Sequence, residues 1–354
     1  MLIDSVVERG DAPAMHLQSN RMTIVEAHPV LVNTLSTAAV LGAVAVEFVL
    51  MRQFLADWRD GRTEERGRGR RGAAGIWTAV AACGLLGPGA FADGPPANPE
   101  NIAAIESPIT SGEVKPLVIS TDRPSFCDTA GIVPKGHFQL ETGYTFTLRD
   151  RDGINSQTSN APEMLARCTI IEDRLEIRLS TSGYVWSRTN DGTGAETTEG
   201  WSDAVAGFKF KLTDQDGMLP RLVLEGATTT GAGSDGISNQ DVEPVFKLIW
   251  TYDLGKGFGV YGNFNVAYAT TGGERFTQGQ GGVCFTYAAN DRLSFYGEYF
   301  VFGPNAKGTD AAHYLDFGAA YLLTNRVQLD VRAGFGLNKQ ANNFFTGAGI
   351  SFLF

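Results

Sequence analysis

Charged side chains recur at every second position in several segments whose intervening positions are apolar. Arg174, Glu176 and Arg178 alternate with Leu175 and Ile177. In an extended strand this spacing places all the charges on one face. A charge facing lipid would cost about 2–4 kcal/mol at the bilayer midplane, so we expect these charges to face water inside a closed wall. The predicted lumen-lining residues are Glu141, Arg167, Arg178, Lys209, Lys211, Glu225, Lys247, Glu298, Asp316, Asp330 and Arg332.

The mixed sign of this set leaves two interpretations open. The charges form either a ladder of ion pairs that braces a narrow barrel or a lining that selects solutes. A third possibility is catalysis, because some membrane barrels are lipases and use a Ser activated by a His. His313 is the candidate, but its expected neighbours Val301, Phe302, Phe335 and Leu337 include no Ser or Thr. We therefore predict no enzymatic activity and no cofactor.

The cysteines indicate neither a metal site nor a disulfide framework. No Cys or His spacing is typical of a metal site. Cys168 is expected to face lipid and Cys284 the lumen, so those two residues are not expected to bridge.

The elements that carry the charges are long strands with a period of two. Residues 136–148 alternate for more than ten positions, which matches the roughly 9–11 residues that a tilted strand needs to cross a bilayer. The pattern recurs to give twelve strands, an even number as single-chain bacterial barrels require. The predicted strands are 136–148, 162–171, 174–186, 202–213, 220–230, 242–253, 257–270, 277–289, 292–303, 312–323, 326–337 and 343–354.

The connections between these strands alternate in length. The gaps after even-numbered strands are tight, as at 172–173 and 324–325, whereas 149–161 and 187–201 are longer and richer in small polar residues. Short turns on the periplasmic side and longer loops outside are typical of outer-membrane barrels. We expect a transmembrane up-and-down antiparallel β-barrel over residues 136–354.

Residues 343–354 read as a membrane strand that ends on Phe354. Phe344, Ala348, Ile350, Phe352 and Phe354 share one face, and small or polar residues occupy most of the other. The pattern resembles the C-terminal signal of bacterial outer-membrane barrels. That resemblance implies that the barrel-assembly machinery recognises Phe354.

The composition is consistent with alternating strands. The chain holds 43 Gly and 22 Phe among 354 residues, and its mean hydropathy is near neutral at -0.09. A net charge of -10 argues against a nucleic-acid partner.

The region before the barrel carries a targeting signal. Basic residues within 66–71 precede an apolar run from 73 to 91, and Ala90-Phe91-Ala92 fits the rule for signal-peptide cleavage. We predict a secretory signal region over 51–92 with cleavage near Ala92; a lipoprotein site at Cys83 is the alternative. Residues 1–50 either precede the true start of the protein or form an N-terminal helix.

Residues 93–135 contain seven prolines, so a long helix is not expected. Two interpretations stay open for this segment. It is either a periplasmic tail or a plug that folds into the lumen, with Arg123 paired to a lumenal carboxylate.

Two motifs resemble those of a known family. They are Thr121-Asp122-Arg123-Pro124-Ser125-Phe126, followed by Val133 to Tyr144, and Lys247-Leu248-Ile249-Trp250-Thr251-Tyr252-Asp253-Leu254. Both resemble the outer-membrane family described by the "MetA pathway of phenol degradation". The resemblance covers roughly residues 118–354 and implies passage of aromatic or other small compounds across the outer membrane.

These observations together predict a channel of the bacterial outer membrane that passes small solutes, aromatic or hydrophobic compounds among them. Its partners would be outer-membrane lipid and the solute. The alternative is a structural or adhesive outer-membrane barrel without transport activity.

Overall fold

The computed structural model describes residues 117–354 except 306–308. The predicted segments 1–50 and 51–92, the cleavage near Ala92 and residues 93–116 lie outside the described residues. All named strands belong to one antiparallel sheet. No helix among the described residues is long and apolar enough to cross a membrane.

The described residues form fourteen strand segments. They are β1 (Phe138–Arg151), β2 (Ile154–Ile171), β3 (Leu175–Thr181), β4 (Tyr184–Asn190), β5 (Ala195–Trp201), β6 (Ala204–Thr213), β7 (Arg221–Thr229), β8 (Pro244–Gly255), β9 (Phe258–Thr271), β10 (Glu274–Ala288), β11 (Leu293–Phe302), β12 (Ala312–Thr324), β13 (Val327–Gly336) and β14 (Phe344–Leu353).

The sheet closes on itself as a twelve-strand barrel. β1 pairs with β14 on one side and with β2 on the other. β2 pairs with β3 along one part of its length and with β4 along the rest, while β6 pairs with β3 and β5 with β4. β3 with β4, and β5 with β6, therefore each occupy one position in the wall. The predicted fold class and strand number are confirmed.

Two predicted loops are wrong in extent, because they are largely strand. Residues 154–161, expected in a loop, belong to β2, and most of 187–201 forms the hairpin of β4 and β5. Asp152 and Gly153 link β1 to β2 with φ of 56° and 78°. Two successive positive φ values identify a tight type I′ hairpin turn, whose backbone twist matches that of the strands it joins. The paired strands therefore continue to the turn, and no long loop is formed.

The two faces of the wall differ as the alternation predicts. Side chains on the outer face are apolar and exposed: Ile177, Phe210, Leu212, Phe264, Val266 and Tyr268 are at least 39% accessible. Leu175, Leu179, Phe208, Val327, Leu329 and Val331, also predicted to face outward, are half-buried. Such a surface is suited to lipid contact.

Residues 117–135, here called the lumenal segment, lie inside the barrel. We call the end of the barrel that holds Phe138 and Phe354 the terminal end. The segment begins there, where Ile119 N–H donates to the Asn325 carbonyl at 2.8 Å. It passes up the lumen and returns to the terminal end, where Val133 N–H donates to Glu176 at 2.9 Å. A chain that enters and leaves at one end fills the lumen as a hairpin-like insertion.

Candidate functional site

Asp122 of the lumenal segment is the centre of a charge cluster in the lumen. Its Oδ2 lies 2.7 Å from Lys209 Nζ and 2.7 Å from Arg178 Nη1, with Arg167 Nη1 at 3.7 Å. Burial alone would raise the pKa of the Asp122 carboxyl. The combined effect of Arg167, Lys209 and Arg178 is larger and opposite, so the pKa lies well below its usual value. The side chain is therefore held as a carboxylate that binds three cations from three wall strands.

Asp128 repeats this arrangement six residues later. Its carboxylate pairs with Lys247 on β8, and its Oδ1 lies 3.5 Å from Arg178 Nη2. Glu225 on β7 bridges the same two cations, at 2.9 Å from Arg178 and 3.0 Å from Lys247. Two acids of the lumenal segment thus share wall cations with a wall carboxylate, Glu225.

Arg167 on β2 holds the two ends of the lumenal segment together. Its guanidinium bonds Glu141 at 2.9 Å and Glu176 at 2.9 Å. It also donates to the backbone carbonyls of Ser120 at 3.0 Å and Gly131 at 2.9 Å. Glu141 in turn accepts the backbone N–H groups of residues 122 and 123. Because the guanidinium is fully buried and every contact is charge-assisted, these bonds are among the strong ones.

Arg123 lies over two paired glycines of the wall. Its guanidinium binds Glu163 on β2 and Asp330 on β13, the latter at 3.4 Å. Gly143 on β1 and Gly349 on β14 are directly opposite each other, and a Cβ on either would overlap the Arg123 side chain. The missing side chains make the groove that admits Arg123.

Glu298 on β11 binds the tip of the lumenal segment. It accepts the backbone N–H groups of Phe126 and Cys127, each at 2.7 Å. Asp316 lies directly across from it on β12 and accepts a hydrogen bond from Tyr296 Oη at 2.9 Å. The tip is therefore held through its backbone as well as through its acidic side chains.

The remaining predicted lumenal residues contact either the lumenal segment or the turns at the terminal end of the barrel. Arg332 Nη1 donates to the Pro124 carbonyl at 2.8 Å. Lys211 pairs with Asp173 and, at 2.9 Å, with Asp214, both in turns at the terminal end. Arg174, expected inside, is exposed at the turn before β3.

Aromatic side chains line the lumen at the end opposite the terminal end. Phe300 stacks on Phe126 of the lumenal segment with centroids 4.6 Å apart and on Tyr314 at 4.8 Å. Phe302 and Phe345 meet the same cluster edge-on or tilted. One side of the lumen is thus ionic, and the side formed by β11, β12 and β14 offers an apolar, aromatic surface.

A cavity of about 470 Å³ remains between the lumenal segment and the wall toward the terminal end. Its lining includes Ile119, Val133, Thr251, Tyr261, Tyr296 and Gln328. The lining mixes aromatic rings with hydroxyl and amide groups, which suits a small amphipathic solute.

No group of three metal-binding side chains was found in the part of the chain that the structure describes. His313 lies opposite Val301, as expected, and its Nδ1 is 2.7 Å from the hydroxyl of Tyr299. Tyr299 is not among the neighbours expected from the sequence. A pair of this kind lacks the Ser that lipase chemistry requires.

The structure therefore brings the predicted lumenal residues together around a segment whose position the sequence left open. Nine of them are buried, and Lys247 and Arg332 are half-buried. Sequence reasoning missed the residues of the segment that bind them, above all Asp122 and Asp128, and the acceptor Glu163. The alternation of the strands gave no signal for these residues, because Asp122 and Asp128 lie outside the strands.

A solved structure shares this fold. The COG4313 outer membrane channel from Pseudomonas putida F1 aligns with a TM-score of 0.50 at 13% identity, over 65% of this chain and 99% of that one. The CymD monoaromatic hydrocarbon channel aligns at 0.36 and 10% identity, over 61% and 87%. The NanC porin aligns at 0.40 and 10%, over 61% and 98%. Among proteins with curated descriptions, none matches this chain.

A family model matches residues 121–354, from the first residue of the Thr121 motif to the end of the last strand. The matched range includes the tip of the lumenal segment, all the wall strands and every predicted lumenal residue. The chain belongs to the family described as "Putative MetA-pathway of phenol degradation".

Proposed function

We propose that this protein is a channel of the bacterial outer membrane whose lumen is closed by residues 117–135 and opens when that segment moves. The observation that carries the proposal is the position of Asp122 and Asp128, bound inside the lumen to cations of four wall strands. The segment enters and leaves at one end, so it can be withdrawn without breaking any strand pairing.

The solutes we propose are small aromatic or hydrophobic compounds. The aromatic cluster at one end of the lumen and the amphipathic cavity at the other end support this class. The family description, which refers to phenol degradation, agrees with it. We propose no catalytic activity, since His313, the candidate base, has the hydroxyl of Tyr299 as its partner and not a Ser.

The terminal end is proposed to face the periplasm. The backbone N–H of Phe354 donates to the Phe138 carbonyl at 2.8 Å, and the residue is 45% exposed. An exposed terminal ring suits recognition by the barrel-assembly machinery. A Phe354→Ala variant should accumulate less folded protein in outer-membrane fractions, and equal accumulation would argue against this partner.

The solute class is tested by current block in an opened variant. Asp122→Asn/Asp128→Asn removes both acids that hold the lumenal segment while leaving the wall unchanged. We expect phenol to reduce its open-channel current in planar bilayers in a saturable way, and a sugar of similar size to have no such effect. Equal block by both solutes would contradict an aromatic preference.

A further inference from the structure

We propose that Cys127 and Cys284 are a disulfide-forming pair that links the lumenal segment to strand β10 and keeps the channel closed. The inference rests on the proposed function only for its effect on opening. Formation of the bond itself is independent of transport.

The backbone places the two residues at the same point of the wall. Cys127 N–H donates to Glu298 at 2.7 Å, and Glu298 is the direct cross-strand partner of Cys284. Gly282, on the same face of β10 as Cys284, would carry a Cβ only 2.7 Å from Cys127 Sγ. The thiol of Cys127 therefore lies against the patch of wall that contains Cys284.

Burial supports the same pairing. Cys127 and Cys284 are both fully buried and belong to one cluster with Tyr261 and Tyr296. Both are thiols in this structure. Cys168 follows Arg167 on β2 and so projects from the opposite face of the wall, where it cannot reach either residue.

The chemistry is thiol–disulfide exchange with a small-molecule disulfide, in the oxidising compartment that an exported chain crosses. The Cys127 thiolate attacks one sulfur of the reagent and forms a mixed disulfide, releasing the first thiolate. The Cys284 thiolate then attacks Cys127 Sγ, forms the protein disulfide and releases the second thiolate. Each cysteine loses one proton, and the reagent gains two electrons.

Because both thiols are buried once the barrel is complete, the exchange must begin while the chain is folding. After closure the bond resists small reductants for the same reason. The lumenal segment can then leave the lumen only after the link is reduced, which makes opening dependent on the redox state of the protein.

The bond is tested by folding the full chain into detergent micelles with oxidised glutathione and alkylating the remaining thiols. We expect mass spectrometry of a protease digest to show the peptide of Cys127 linked to that of Cys284, with Cys168 alkylated. Cys168→Ser is the matched control and should give the same linked peptide, whereas Cys127→Ser should abolish it. Folded protein in which Cys127 and Cys284 are both alkylated or glutathionylated would overturn the proposal.

The effect on opening is measured separately in planar bilayers. Protein folded with oxidised glutathione should open at least tenfold less often than the same protein folded under reducing conditions, and Cys284→Ser should show no such difference. If the linked peptide forms but the frequency of opening does not change, the proposal that the disulfide keeps the channel closed is wrong. Failure of the proposed function gives a different result, because then Asp122→Asn/Asp128→Asn carries no current in either redox state.

Discussion

At the scale of single residues, the lumen is organised by charge compensation across long sequence distances. Asp122 contacts Arg167, Arg178 and Lys209, which lie on β2, β3 and β6. Removing one partner of a buried ion pair costs about 3–5 kcal/mol because it leaves a desolvated charge uncompensated. Loss of any one of these buried partners should therefore have a large effect on how firmly the lumenal segment is held.

Replacing Asp122 by Asn should release the lumenal segment without unfolding the wall. The amide cannot neutralise three buried cations, so we expect the backbone amides of 117–135 to exchange hydrogen at least about 100-fold faster, since 1.4 kcal/mol corresponds to tenfold. Hydrogen exchange followed by mass spectrometry measures this. Asp191→Asn is the control, because that acid lies in an exposed turn outside the lumen and accepts hydrogen bonds from Thr193 of the same turn. Unchanged exchange in 117–135 would disprove the anchoring role of Asp122.

Gly349 should be coupled energetically to Arg123. Gly349→Ala introduces a Cβ that overlaps the Arg123 side chain, so the cost should fall when Arg123 is also replaced by Ala. Contacting residues typically show coupling of about 0.5–3 kcal/mol. The temperature at which the folded band disappears in a gel-shift assay measures each variant of the cycle. Gly279→Ala, where a Cβ meets open space, is the control. Additive effects of Gly349→Ala and Arg123→Ala would exclude the steric contact.

At the scale of elements, the alternation of side chains predicted most of the barrel. The wall strands, their closure and the lumenal face follow from a period of two, because each strand has lipid on one side and a polar interior on the other. The length of the hairpins could not be predicted from this alternation, because pairing beyond the membrane depends on the residues of the turn. Asp152-Gly153 and Gly272-Gly273 carry the glycines that type I′ turns favour, and this local signal would have indicated tight hairpins.

The lumenal segment shows what a strand pattern cannot predict. Its prolines argue against a long helix, but its place in the lumen depends on contacts such as Arg123 with Asp330, which are 207 residues apart. Periodicity carries no information on such pairs. The mixed charges of the wall indicated a lumen, and only the structure identifies Asp122 and Asp128 as their partners.

The lipid-facing side of β12 should show a depth-dependent cost of charge. Phe317 is exposed near the middle of β12, and Leu323 is exposed near its end. We expect Phe317→Arg to lower the free energy of unfolding in lipid vesicles by about 2–4 kcal/mol and Leu323→Arg by about 0–1 kcal/mol. Urea titration followed by tryptophan fluorescence measures both. Equal costs at the two positions would contradict the placement of β12 across the bilayer.

At the scale of the whole molecule, a rigid wall surrounds a segment that is not part of it. The strand pairings of the wall close without the lumenal segment, which joins β1 only at the terminal end. The wall has an ionic side that binds the segment and an aromatic side that continues toward the opposite end. The aromatic side is the part suited to apolar solutes, and it also contacts the segment, because Phe300 stacks on Phe126.

The central claim, a channel closed by its own residues 117–135, is tested most directly by single-channel conductance of the full chain in planar bilayers. The wild type should show rare, brief openings, and Asp122→Asn/Asp128→Asn should show long-lived stepwise currents under the same reducing conditions. Asp191→Asn should behave as the wild type. The claim would be contradicted if the double variant inserts but does not conduct. It would also be contradicted if the wild type conducts as strongly as the double variant.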